Sequence, residues 1–416
     1  MTLEDELSAI YGQTRDLRIG AGQVPFAEAL TSKESSVQIT AQIRLREMSK
    51  AIPELLQKDS RLPGSKVLMM RRPGGMSGFY PVFAADLIVR RTIENGKPTA
   101  SIEWIQKLLS TSSAEGFSIT ALWGVPVTEQ IQLTSDVTLV PIAALPESPQ
   151  KRWITESGLD LSDGLIATIL HFDNPTSALV IKKHIEPLFV EPDKSGEEDD
   201  FIKTYELLSD IALALTAVGP RVSLQAAHWF NFEDPNLDDV GFGNAKSRPL
   251  IEILPTKFTD FPPLDAIVAI EVVQQFLKTN GPTRNKLRVA LERLNQAQRR
   301  RNPGDQAVEL ATAFETLVGD NATTEMTHKV KIRTTRLLGG VEDTRRRNAV
   351  LIGKTYDVRS SLVHTGHVDA AATETICGER KPVTHILEEA TKLCAELIRI
   401  ILQRGSIPEW PKFDVS

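Results

Sequence analysis

No apolar run in the 416-residue chain approaches the ~20 residues of a transmembrane helix, so no membrane partner is expected. The first residues, MTLEDELSAIYGQ, are acidic and hold no apolar core stretch, so no secretory signal is expected. Two cysteines, Cys377 and Cys394, make neither a disulfide framework nor a zinc site by themselves. A reducing, cytoplasmic setting follows as the expectation. Gly74-Gly75 and Gly241-x-Gly243 lack both the Lys-Ser/Thr of a phosphate loop and the GxGxxG frame, and read as turns. His171 and His184 fall on predicted strands without a third ligand, so neither a metal nor a cofactor is expected. Internal repeats and low-complexity segments are missing too, which excludes repeat architectures.

What is there is an ordinary globular mix, 41% hydrophobic and 25% charged. The length exceeds one compact core and suggests about two or three domains. The net charge of −6 conceals an asymmetry. Residues 281–416 hold 22 Lys+Arg against 17 Asp+Glu, an excess of +5, which leaves −11 for the remainder. A basic C-terminal part beside an acidic N-terminal part suits a polyanion-binding module joined to something else; ordinary solvated helix faces would give a similar excess.

Hydrophobic spacing divides the chain into an α+β part, 1–260, and an all-α part, 261–416. Residues 35–56 carry Val37, Ile39, Ile43, Met48 and Ile52 at near-helical spacing, with Pro53 set to kink or stop the run. Pro73-Gly74-Gly75 is a breaker, and a short helix is predicted around 102–109. From about 115 to 195 the pattern turns β-rich, with predicted strands at 117–123, 128–140, 165–172 and 178–190 and a turn at Asp173-Asn174-Pro175. His228-Trp229-Phe230 reads as a buried corner. A charged loop covers 194–200, helical spacing returns over 201–218, and 258–263 is the candidate linker.

Beyond it the predicted helices are 264–277, 284–300 capped by Thr283, 306–318, 323–338, a long one starting at Asp343 or Thr344 and ending at Thr365-Gly366, and a last one from Thr384. The last carries Ile386, Leu387, Ala390, Leu393, Cys394, Leu397, Ile398 and Ile401 as one apolar stripe, which places Cys394 in the core. Long helices with short loops imply an antiparallel bundle.

The chemistry-bearing segment is Tyr356-Asp357-Val358-Arg359-Ser360-Ser361-Leu362-Val363-His364-Thr365-Gly366. Ser360 and His364 are four apart and share a helix face, while Arg359 sits about 140° from His364. A long guanidinium stem or a distorted helix end would close that gap. Arginine grips phosphate oxygens with two prongs and stabilises the charge of a pentavalent intermediate. Histidine moves the proton of a ribose 2′-OH or of the leaving 5′-oxygen. Ser360 would hold either the imidazole or the phosphate. RNA supplies its own nucleophile, so this chemistry needs no metal. A second Arg-x4-His, from Arg380 to His385, contains Pro382 and falls in a loop, and is set aside.

The segment resembles the R-x4–6-H signature of HEPN domains, most of all the ApeA-like branch, whose motif runs Tyr, Arg-Ser, then an apolar pair, His and a Gly/Thr-Gly ending. Two further places agree. Residues 301–317 are similar to the family helix with an Ala-Leu-Glu-x-Leu ending, with Phe314 in place of leucine. Residues 325–338 resemble the helix before the motif helix. The likeness covers about 283–405. It implies a HEPN-like bundle that dimerises, or forms a higher even oligomer, with two motif helices facing each other around one composite site. Active members are metal-independent endoribonucleases of anti-phage and abortive-infection toxins. Carried over by position, Arg359 and His364 form the catalytic pair and Ser360 is the polar residue after the arginine, where many members have Asn, Asp or His. Tyr356 and Glu315 are supporting positions, Glu315 either pairing with Arg359 or acting directly. The partner implied is RNA, tRNA among the candidates, with the N-terminal part sensing a phage-derived trigger or restraining the nuclease. Arg345, Arg346, Arg347, Lys329, Arg333 and Arg336 are the candidate RNA-backbone contacts; solvated helix ends explain each cluster equally well. The alternative is an inactive HEPN scaffold that binds a nucleotide or a partner in a defence complex.

Overall fold

The computed structural model describes residues 2–32, 34–64, 66–73, 75–156, 175–191, 199–240, 261–320 and 325–415. Helix α1 (Leu3–Thr14) starts on a reciprocal cap: the Asp5 N–H donates to Thr2 Oγ1 at 3.1 Å and the Thr2 N–H donates to the Asp5 carboxylate at 2.8 Å. The hairpin β1 (Arg18–Ile19) and β2 (Val24–Pro25) leads to α2 (Phe26–Ala29), α3 (Ser35–Met48) and α4 (Ile52–Lys58). Pro53 opens α4 rather than ending the preceding run, because its missing N–H is harmless in a first turn. Strands β3 (Leu68–Arg72) and β4 (Gly75–Phe79) pair antiparallel. They are followed by α5 (Pro81–Asn95), ended by Gly96 at φ +67°, and α6 (Pro98–Leu109).

The β-rich stretch contains β5 (Ala114–Trp123), β6 (Ile131–Gln132), β7 (Val137–Pro141), α7 (Pro149–Glu156), β8 (Ser177–Ile185) and β9 (Phe189–Val190). The strand expected over 128–140 is two strands, because the Thr134 hydroxyl accepts from the N–H groups of Asp136 and Val137 and turns the chain. The expected strand 165–172, with His171, and the turn residues Asp173-Asn174 lie outside the described residues. So do 194–198 of the charged loop, Gly241-x-Gly243 and 258–260 of the linker. Helix α8 (Asp199–Ala214), β10 (Leu224–Phe232) and α9 (Pro235–Val240) complete this part. One sheet has the order β10-β5-β8-β7-β6 and another β4-β3-β9. His228, Trp229 and Phe230 are buried.

The helices that follow are α10 (Ala266–Lys278), α11 (Gly281–Arg299), α12 (Pro303–Val318), α13 (Met326–Leu338) and α14 (Glu342–Thr365). A hairpin, β11 (Thr373–Ile376) and β12 (Glu379–Pro382), precedes α15 (Val383–Arg404) and α16 (Trp410–Val415). The caps differ from expectation. Thr283 lies inside α11 behind Pro282, and α14 starts after Val341, with Asp343 and Thr344 already helical. Thr384 is the second residue of α15. The unforeseen hairpin turns at Cys377-Gly378, both at positive φ (+49° and +90°), as a two-residue turn of the primed type requires.

The chain forms two compact units, each assembled from three segments, so neither is a single span such as 1–260 or 261–416. One unit comprises 1–118, 182–202 and 230–247, with a core around Leu7, Phe26, Ile52, Ile88 and Ile102. The other comprises 119–181, 203–229 and 248–416. Its core gathers the predicted α15 stripe, Phe314, Leu287 and Leu351, together with Leu122, Leu139, Leu208 and Leu215 from the earlier segments. The bundle therefore shares its core with strand and helix residues far upstream. Among the described residues, no helix is long and apolar enough to cross a membrane.

Cys394 is fully buried in α15, and that burial pushes its thiol up to about 12, whereas Cys377 is exposed in the hairpin turn. A thiol reagent is therefore expected to label one cysteine per native chain at pH 8 and two in denaturant. Mass spectrometry finding adducts on both cysteines of the folded protein would contradict this placement.

Candidate functional site

The motif occupies the C-terminal turns of α14. The helix remains regular through Thr365 and ends where Gly366 adopts φ +72°, so a distorted helix end does not close the gap between Arg359 and His364. Two contacts hold this end. Gly304 in the first turn of α12 lies so close that a Cβ there would sit 2.8 Å from Leu362 Cβ and 2.9 Å from Val368 Cγ2. Lys354 pairs with Glu374 of β11 at 3.0 Å. Gly304→Ala should therefore overpack the α12–α14 crossing and cost about 1–3 kcal/mol. A melting temperature equal to the wild type would show that the crossing has slack.

Tyr356 is buried, and its hydroxyl donates to Glu315 Oε1 of α12 at 3.1 Å. Burial raises the Tyr356 phenol above its usual value, the Glu315 carboxylate adds to that rise, and Arg359 opposes it. The half-buried Arg359 guanidinium lies 5.9 Å from the Tyr356 ring centroid. It thus folds back toward the preceding turn, on the side where Glu315 binds Tyr356. Ser360 and His364 are exposed. The structure brings Glu315, Tyr356 and Arg359 together, with Glu315 bound to the tyrosine and not to the arginine. Among the described residues, no hydrogen bond or ion pair joins Arg359, Ser360 and His364, and neither the guanidinium nor the imidazole has another such partner.

The six basic candidates separate. Arg333 is a correction. Its side chain is 3% exposed, and Nε, Nη1 and Nη2 all donate internally, to Asp414, Val318 O, and Asp320 with Asp414. Those bonds use four of its five N–H donors, and the guanidinium, 5.0 Å from the Trp410 ring centroid, is buried out of reach of a phosphate. Lys329 pairs with Asp320, and Arg347 with Glu389. Arg336 donates to the Asp414 carbonyl but remains exposed. Arg345 and Arg346 are exposed without an acidic partner among the described residues. Sequence reasoning missed α16, which supplies Trp410 and Asp414; the aromatic residues Trp410 and Phe413 flanking Lys412 were the available signal.

Of the two strand histidines, His184 is exposed and bonded to Glu115 and Glu186. Among the described residues, no cluster of three His, Cys, Asp or Glu is placed to hold a metal ion. Comparison with family models, curated proteins and solved structures finds no match to this chain.

Proposed function

We propose that the C-terminal helices form a HEPN-type endoribonuclease in which Arg359 and His364 cleave RNA. One observation carries the reading: half-buried Arg359 and exposed His364 lie at one helix end, and neither has a hydrogen-bond or ion-pair partner among the described residues. Polar side chains without an internal partner are free to meet a phosphodiester. In the reaction the ribose 2′-oxygen attacks phosphorus, its proton leaves, and the P–O5′ bond breaks as the 5′-oxygen takes up a proton. The products are a 2′,3′-cyclic phosphate and a 5′-hydroxyl. His364 moves one of those protons, and Arg359 neutralises charge on the phosphoryl oxygens. Tyr356, held by Glu315, supports the Arg359 stem. Exposed Arg345 and Arg346 lead the RNA backbone in. A homodimer supplies two such pairs to one site, and the N-terminal region restrains the nuclease until a phage-derived trigger arrives.

The test is cleavage of total RNA and of tRNA in EDTA by the full chain, with analysis of the cut ends. The full chain is needed because the helices share their core with upstream residues such as Leu122, Leu139, Leu208 and Leu215. Fragments ending in 2′,3′-cyclic phosphate are expected. The absence of any hydrogen bond from Ser360 to Arg359 or His364 favours one rival, the inactive HEPN scaffold. Salt-dependent RNA binding without cleavage, in EDTA or in magnesium, and also after mixing with phage-infected lysate, would decide for that rival.

A further inference from the structure

Gly353 lies in the middle of α14 and is buried. At about 100° per residue it shares a face with Ser360 and His364, which follow it on the same helix. A side chain of α13 crosses that face. A Cβ at Gly353 would sit 2.7 Å from Lys331 Nζ and 2.8 Å from Lys331 Cε, so the ammonium rests against bare glycine backbone. A side chain at 353 would push it aside.

Lys331 is half-buried and has no hydrogen bond or ion pair among the described residues. Other cations of the two helices are taken up. Lys329 and Arg333 hold Asp320, Arg347 holds Glu389, and Lys354 holds Asp357 and Glu374. Asp357 is the acid on the motif face between Gly353 and His364, and its charge is met by Lys354 at 3.2 Å. Keeping an ammonium partly out of water without a counter-ion is unfavourable, and an anion on that face would offset it. We infer that Lys331 binds an RNA phosphate neighbouring the scissile one, and that Gly353 is the gap in α14 that admits the ammonium. The inference rests on the nuclease reading and adds to it a path for the strand beyond the cut bond. Gly353 and His364 are about 16 Å apart along the helix, too far for one phosphate to meet both. The substrate is therefore a strand of several nucleotides laid along α14, not a dinucleotide. A lysine meets a phosphate as a point charge, so this contact carries no base preference.

The experiment measures binding of poly(U) and of tRNA to the full chain carrying His364→Ala, which suppresses cutting, over a range of salt. Adding Lys331→Ala should weaken both RNAs about three- to tenfold near physiological salt and flatten the slope of log K against log salt by about 0.7–0.9, the share of one phosphate. Lys331→Arg keeps the charge and should retain most of the affinity. Gly353→Ala should also weaken binding, because the methyl displaces the ammonium. Its melting temperature should be equal or higher, because alanine suits a helix interior better than glycine. Once Lys331 is replaced by alanine, Gly353→Ala should have no further effect on binding. On RNA that the wild type cuts, Lys331→Ala should raise KM and spare kcat. Unchanged affinity and salt slope in Lys331→Ala overturn the inference, while cleavage by the wild type would keep the nuclease reading. Failure of every form to bind or cut RNA overturns both. An equal loss from Gly353→Ala with and without Lys331 puts the effect in helix packing and overturns the inference as well.

Discussion

Replacing His364 with alanine is expected to lower RNA cleavage by the full chain about 10²–10⁴-fold, the usual contribution of a positioned general acid–base group. Arg359→Ala should lose a comparable amount, about 10²–10³-fold, by removing charge stabilisation from the phosphoryl oxygens. Neither change should disturb folding. His364 is exposed, Arg359 is half-buried, and neither has a hydrogen-bond or ion-pair partner among the described residues, so the stability change should stay near ±0.5 kcal/mol. That separates loss of chemistry from loss of structure in one experiment. Arg359→Lys keeps the charge but loses the two-pronged contact, and should recover only part of the rate. The double variant should be little worse than either single one, because both groups serve the same step. A His364→Ala protein that cuts RNA at the wild-type rate ends the assignment, whatever else cleaves in the preparation.

Arg333→Ala should be the most destabilising change among the basic candidates, at about 3 kcal/mol. Breaking a buried ion pair from one side costs about 3–5 kcal/mol. The lower end applies because Asp320 and Asp414 keep 27% and 37% side-chain exposure, so water partly screens them once the cation is gone. The Val318 carbonyl at the end of α12 would lose its donor as well. The effect should depend on pH. Hydrogen bonding by Arg333 holds the Asp414 carboxyl below its ordinary value of 3.8. A carboxylate lowered in the folded state contributes stability that is fully present above its unfolded value and disappears as the pH falls through the folded one. The gap between wild type and Arg333→Ala should therefore be constant from neutrality down to about pH 5 and shrink below about pH 4. Urea denaturation across that range measures it. Equal midpoints at pH 7 would mean that the clamp on α16 contributes nothing.

The two results bear on one question, which basic side chains are free. Lys329, Arg333 and Arg336 lie on one helix, α13, yet have different fates. Helical spacing says which residues share a face. It does not say which acids arrive opposite them. Asp320 and Asp414 are 13 and 81 positions away from Arg333, and α16 was not expected at all. The same limit applied to the motif. The Arg-x4-His spacing was readable, but the bond of Glu315 on α12 to Tyr356 and not to Arg359 was not.

By itself the sequence determined the long helices of the C-terminal part, though not the β11–β12 hairpin or α16: apolar spacing near 3.6, Pro and Gly breakers, and an end at Gly366 that a left-handed residue must make. It also determined which face of α15 is buried, Cys394 included, because that stripe admits no other side. Only the tertiary structure decided that Arg333 belongs to the core and that residues near 120, 140 and 210 complete the core of the helices. The physical reason is one of range. Backbone hydrogen bonding and helix periodicity act over a few residues and leave a readable trace. Burial of a charge is settled by groups far away in the chain, and no short pattern records them.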